Sequence, residues 1–81
     1  MDNIDKISLD QLLPGEKAVL VEFNGGRGIT GRLTSLGFTP GVEISIAQNS
    51  GNGPLIAVLR GTRVALGRKE SQKIIVQRID E

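Results

Sequence analysis

Few side chains in this sequence could do chemistry, and those few carry oxygens or guanidinium groups. None of the 81 residues is histidine or cysteine, which removes the commonest general base and the strongest nucleophile. Tyrosine and tryptophan are absent as well. Ser35, Ser45, Ser50 and Ser71 have no visible partner to activate a hydroxyl. A site for a borderline or soft metal needs imidazole or thiolate, so only oxygen ligands remain. Glu43, Glu70, Asp10 and Gln72 could supply them together with main-chain carbonyls. Their spacing does not match a calcium loop, so Glu43 and Glu70 stand as weak metal candidates and no tightly bound cofactor is expected. Asp80-Glu81 pairs two carboxylates at the chain end, where solvent keeps carboxylates ordinary. The expectation is a protein that is not an enzyme.

Anion chemistry is equally thin. Gly25-Gly26-Arg27-Gly28 could present amides at a helix start. It lacks the phosphate-loop pattern of paired glycines with Lys-Ser/Thr and reads as a turn into a helix. Net charge is +1, from ten basic and nine acidic residues, which gives no general attraction to nucleic acid or acidic membranes. Single-strand binders stack bases on aromatic side chains, and Phe23 and Phe38 both fit core positions. No nucleic-acid partner is therefore expected, and a nucleic-acid-binding small barrel stands only as the lesser alternative. Acids gather before residue 23, whereas Arg60, Arg63, Arg68, Lys69, Lys73 and Arg78 crowd the last third.

The elements that must position these groups are organised around Gly31 to Gly41. Ile29, Leu33 and Leu36 share one helical face, with Gly37 placed to close the helix and Phe38 to fold back on it. Pro40-Gly41 then turns the chain into Val42-Glu43-Ile44-Ser45-Ile46, whose alternation is that of a strand with Val42, Ile44 and Ile46 inward. The helix, over Arg27 to Leu36, is intrinsically poor because Gly28 and Gly31 each cost about 1 kcal/mol against alanine. Packing of its three aliphatic side chains must hold it, and close approach of neighbouring backbone would explain the two glycines.

Along the rest of the chain, Ser8 to Leu13 reads as one helical turn, with Leu9, Leu12 and Leu13 available to cover the core and Pro14-Gly15 ending it. Glu16 to Phe23 is the first strand, with Val19, Val21 and Phe23 on one face. Gln48 to Gly53 reads as a mobile loop, Leu55 to Arg60 as a strand apolar on both faces, and Gly61-Thr62 as a tight turn. Arg63 to Leu66 and Lys73 to Ile79 complete the strands. The fold expected is mostly β: a small SH3-like barrel of about five strands with one short helix inserted between strands 1 and 2. Residues 1–81 form a single domain, with its ordered core over roughly 7–79 and Met1 to Lys6 frayed. Side chains fill so small a barrel, so function must lie on its outside. The acidic opening Met-Asp-Asn-Ile-Asp is unlike a signal peptide, and no apolar run approaches the ~20 residues that span a bilayer. A cytoplasmic protein without membrane insertion is expected.

The motif Arg32-Leu33-x-x-Leu36-Gly37-Phe38-x-Pro40-Gly41, followed by Gly53-Pro54-Leu55-Ile56, Arg60-Gly61, Ala65-Leu66 and Ile74-Ile75-Val76, resembles the FeoA family. Leu9 to Glu16 is similar to its N-terminal segment. The resemblance implies an SH3-like barrel and an accessory role in bacterial ferrous-iron uptake, with the cytosolic region of a FeoB-type membrane transporter as partner. It also implies kinship with the C-terminal domain of iron-dependent repressors, hence the alternative of a weak ferrous-iron-sensing domain. Gly31 departs from the family's frequent second arginine, and Gly67 and Ser71 from a segment often richer in Arg and Ala. Leu33, Leu36, Gly37, Phe38, Pro40 and Gly41 are structural in this motif. The expected partner surface is the helix face bearing Arg32 and Ser35 together with the hairpin from Arg60 to Arg63. Iron, if bound at all, is expected to be held weakly.

Overall fold

Val42, Ile44 and Ile46 are buried and Glu43 is exposed, so the alternation after Pro40-Gly41 does set one inward face. The computed structural model describes residues 6–79. Residues 1–5 of the opening expected to be frayed, and the Asp80-Glu81 pair, lie outside the described residues; Lys6, included in that expectation, instead begins a strand. In chain order the elements are β1 (Lys6–Ser8), a 3-10 turn (Leu9–Gln11), β2 (Lys17–Phe23), α1 (Arg27–Ser35), β3 (Glu43–Gln48), β4 (Leu55–Leu59), β5 (Thr62–Leu66), α2 (Arg68–Gln72) and β6 (Ile74–Arg78). The strands form one antiparallel sheet in the order β1-β6-β2-β3-β4-β5. Six strands stand where about five were expected. The additional one, β1, is too short to show a period and is held by pairing Ile7 with Val76 of β6.

The coiled sheet wraps a filled interior. Leu20, Leu33, Phe38, Ile44, Leu55, Leu66, Ile74 and Val76 are all fully buried, and Leu9 and Leu12 cover one end. Leu13, expected beside them, is 62% exposed because the chain turns outward at Pro14-Gly15. Two Pro-Gly turns set the corners. Glu16 N–H donates to Leu13 C=O at 3.0 Å across Pro14-Gly15, and Val42 N–H to Thr39 C=O at 3.0 Å across Pro40-Gly41. Gly15 and Gly41 lie at φ +91° and +93°, the positive φ that the third residue of a type II turn requires.

Helix α1 ends as the sequence predicts, in a glycine cap. Phe38 N–H reaches Leu33 C=O and Gly37 N–H reaches Thr34 C=O, both at 3.0 Å, with Gly37 at φ +106°. This is the Schellman arrangement, and its apolar contact is Leu33 with Phe38, both fully buried. Leu36 differs from expectation: it is 43% exposed. It sits about 60° round the helix from Leu33, and Phe38 folds back beneath the last turn instead. Ile29 is half-buried against the core, so Leu33 is the one fully buried anchor of the three. Gly28 and Gly31 are not explained by close approach, because nothing lies within 4 Å of a Cβ built on either.

The register carries two further corrections. A bulge in β2 between Leu20 and Glu22 reverses the alternation, so Phe23 packs on the core and Glu22 is exposed. The β4–β5 turn is Arg60-Gly61, one residue earlier than predicted, because Leu59 pairs with Thr62.

Candidate functional site

Since the interior is filled, the charged groups act from outside, and the structure sorts them into two sets. In the first, Arg32 of α1 forms an ion pair with Glu70 of α2. The other oxygen of Glu70 accepts the Gly67 N–H at 3.1 Å, capping α2. Both carboxylate oxygens of Glu70 are thereby engaged, which leaves this metal candidate a structural role. Arg32 remains 64% exposed. Ser35, beside it, donates its hydroxyl to Gly31 C=O at 3.0 Å within the helix. Asp10 is also engaged, by the Ser8 hydroxyl.

In the second set, Glu43 of β3 and Arg60 of the β4–β5 turn line one open concavity of about 580 Å³. Lys17, Ser45, Val58 and Gly61 line it too, with Gly41 and Val42 at the end of the preceding turn. Ile44 opposes Leu59 in the ladder, which sets Glu43 beside Arg60 on the outer face. Arg63 follows on the same hairpin, opposite Val58. The structure therefore brings Glu43, Arg60 and Arg63 to one side and Arg32, Ser35 and Glu70 to another. Among the described residues no three acidic groups converge to hold a metal ion.

Among the described residues, Arg60 is the one non-glycine residue at positive φ. It lies at φ +49° and Gly61 at φ +82°, so the two form a hairpin turn of the I′ kind. Asparagine or glycine suits that first position, and an arginine there costs about 1 kcal/mol of left-handed strain. The signal was present in the sequence as Arg-Gly between two apolar runs, but the turn was read one residue late. Lys17 was missed altogether, because only the pairing of Lys17 with Ser45 brings it to the concavity.

Another polar cluster ties the molecule together. Asn49 donates its side-chain amide to the carbonyls of Asp10 at 3.0 Å and Leu12 at 2.7 Å, and its oxygen accepts from Arg68 at 2.6 Å. Arg68 also donates to Gly53 C=O at 3.0 Å. The Gln48 to Gly53 segment, expected to be mobile on composition, is thus anchored at both ends. Lastly, Glu16 accepts the Leu13 N–H at 2.8 Å and faces Arg78 at 3.3 Å. The Leu13 bond, then Arg78, outweigh partial desolvation and hold its carboxyl below the usual glutamate range.

A six-stranded antiparallel sheet coiled round a solid core, with its ionisable groups outside, defines the class as a small SH3-like barrel. Residues 7–78 match the FeoA domain model, and the chain belongs to the FeoA family. It is 33% identical over 63 residues to a candidate Fe(2+) transport protein A of Methanocaldococcus jannaschii, covering 78% of this chain and 76% of that one. A crystal structure of an iron uptake regulatory protein, FeoA, superposes with a TM-score of 0.88 at 29% identity, over 93% of this chain and 100% of that one. FeoA of Stenotrophomonas maltophilia, solved with zinc, gives 0.77 at 28% identity, over 86% of this chain and 88% of that one. A manganese-dependent transcriptional repressor shares the fold, at 14% identity with a TM-score of 0.85, over 98% of this chain and 45% of that one. Iron uptake and transport are the terms in which the FeoA relatives are described. No helix among the described residues is long and apolar enough to cross a membrane.

Proposed function

We propose that the protein is a cytoplasmic, non-enzymatic accessory module of ferrous-iron uptake that docks on the cytosolic region of a FeoB-type transporter. The docking end is the β4–β5 hairpin, with Arg60 and Arg63 as its charged contacts. One observation carries this reading: an exposed arginine is kept in a left-handed turn position where asparagine would be more stable. Backbone strain under an exposed side chain points to a role for that side chain. The transporter as partner is what the resemblance to the FeoA family implies, and membership in that family supports the reading. Ferrous iron is then the transporter's cargo, and the protein needs no tightly held cofactor of its own. Arg32 contributes only its exposed flank, because Glu70 holds its guanidinium.

The test separates fold from function. Arg60→Asn should raise stability by about 1 kcal/mol, since Asn-Gly is the preferred pair for this turn. The same variant should weaken calorimetric binding to the purified cytosolic domain of the transporter by tenfold or more. Undiminished binding, or none by the parent protein at the highest attainable concentration, would refute docking through this hairpin. A ferrous-iron titration under anaerobic conditions should leave the Glu43 and Glu70 amide resonances unmoved, and a localised saturable shift there would favour a sensing role instead.

A further inference from the structure

Strand β5 lies at one edge of the sheet, and the direction of its backbone groups follows from its turn. The hairpin closes with two residues, so the flanking pair Leu59 and Thr62 exchanges hydrogen bonds and the pairs then alternate. Thr62, Val64 and Leu66 face β4 with their amides and carbonyls. Arg63 and Ala65 direct theirs away from the sheet. No strand pairs with β5 on that side, and no turn or loop hydrogen bond among the described residues reaches either one. Both are exposed. The opposite edge, β1, is three residues long against five here.

We propose that this edge receives an extended acidic peptide by strand addition, with Arg63 and Ala65 exchanging backbone hydrogen bonds with the incoming segment. The proposal rests on the docking reading and gives the partner its chemistry. Residues 55–66 contain two arginines and no acid. Arg63 shares the outer face with Ala65, so an acid opposite it on the incoming strand meets its guanidinium across the edge. Arg60, at the turn beside Glu43, adds positive charge at the same end of the hairpin. Val64, half-buried against the core, lies on the other face and is covered best by an apolar side chain. The incoming strand thus alternates acid and apolar residues.

A second copy of the chain fits less well. Symmetric pairing would set Arg63 opposite the partner's Ala65 and place the two Arg63 side chains diagonally, about 7–8 Å apart, on one face. Residues 55–66 hold no acid to offset that repulsion. Natural edges are guarded against self-pairing by charges placed this way.

The probe is a synthetic peptide alternating glutamate and valine, with a lysine–valine peptide as control, titrated into the isotopically labelled protein. The expected result is a saturable shift centred on the Arg63 and Ala65 amides, slower hydrogen exchange at both, and no response to the control. Ala65→Pro removes one outward donor while sparing the β4 ladder, and should abolish the response. Arg63→Glu should weaken it at least tenfold, which serves as the second readout if the proline variant fails to fold. Shifts elsewhere, equal binding of the lysine peptide, unaltered binding by these variants, or β5-mediated dimers without peptide would overturn the proposal. If Ala65→Pro binds the transporter domain normally while Arg63→Glu does not, strand addition fails while docking through the hairpin stands. If the glutamate peptide binds at β5 and the transporter domain does not bind, the docking reading fails alone.

Discussion

Two glycines six residues apart should respond to alanine with opposite sign. Gly31 sits inside α1 without positive φ, and nothing lies within 4 Å of a Cβ added there. Alanine removes the backbone freedom that glycine brings to the unfolded chain, and the gain is about 1 kcal/mol in a helix interior. Gly37 lies at φ +106°, and its added Cβ would meet only Leu59 Cδ1 at an ordinary 3.5 Å. Space is therefore not the obstacle at Gly37. The cost is left-handed backbone strain, about 1–2 kcal/mol. The two variants should thus differ by about 2–3 kcal/mol. Urea unfolding at constant m-value reads this as midpoints displaced to either side of the parent's. Thermal melts should separate by roughly 4–8 °C per kcal/mol in a domain of this size. Destabilisation by Gly31→Ala would show that the outer face of α1 is not open. A neutral Gly37→Ala would refute the left-handed helix cap.

Other consequences can be measured alongside. Asn49→Ala leaves the carbonyls of Asp10 and Leu12 and the Arg68 guanidinium short of a partner, and should cost about 1–3 kcal/mol in urea unfolding. Combined with Arg68→Ala it should fall short of additivity, because each change removes the same Asn49–Arg68 bond. Glu16, with its folded pKa lowered, contributes stability that is fully present above the unfolded glutamate value of about 4.3 and is lost as pH falls through the folded value. An NMR titration should place its midpoint below the unfolded glutamate value of about 4.3, and Glu16→Gln should flatten the acid limb of the stability profile. A midpoint at or above that value would show that the Leu13 and Arg78 interactions do not favour the charged carboxylate.

Much of the architecture was legible because its signals are local. The cap at Gly37-Phe38, the Pro-Gly corners and the inward face of Val42, Ile44 and Ile46 each depend on a few adjacent residues whose types dictate backbone angles. What was not legible depends on pairing between distant segments. The β2 bulge that turns Phe23 inward arises from register with β6, and β1 exists only because β6 offers it an edge. Leu36 looked like a core anchor by spacing, yet Phe38 takes the space beneath the last turn. The Asn49 to Arg68 tie spans 19 positions and gives a glycine-rich loop an anchor that composition could not reveal. The surface residues were harder still. Arg32 and Arg60 look alike in sequence, and only the fold pairs one guanidinium with Glu70 and carries the other on a strained turn.

The central claim is that a solid barrel acts through its outside, at the β4–β5 hairpin. Adding the transporter's purified cytosolic domain to the labelled protein and following every amide and methyl resonance tests it directly. The account requires changes at Arg60, Gly61, Arg63 and Ala65, with the methyl groups of Leu20, Leu33, Ile44 and Val76 unmoved. Changes led by those interior methyls, or confined to the surface of α1 and α2, would contradict it.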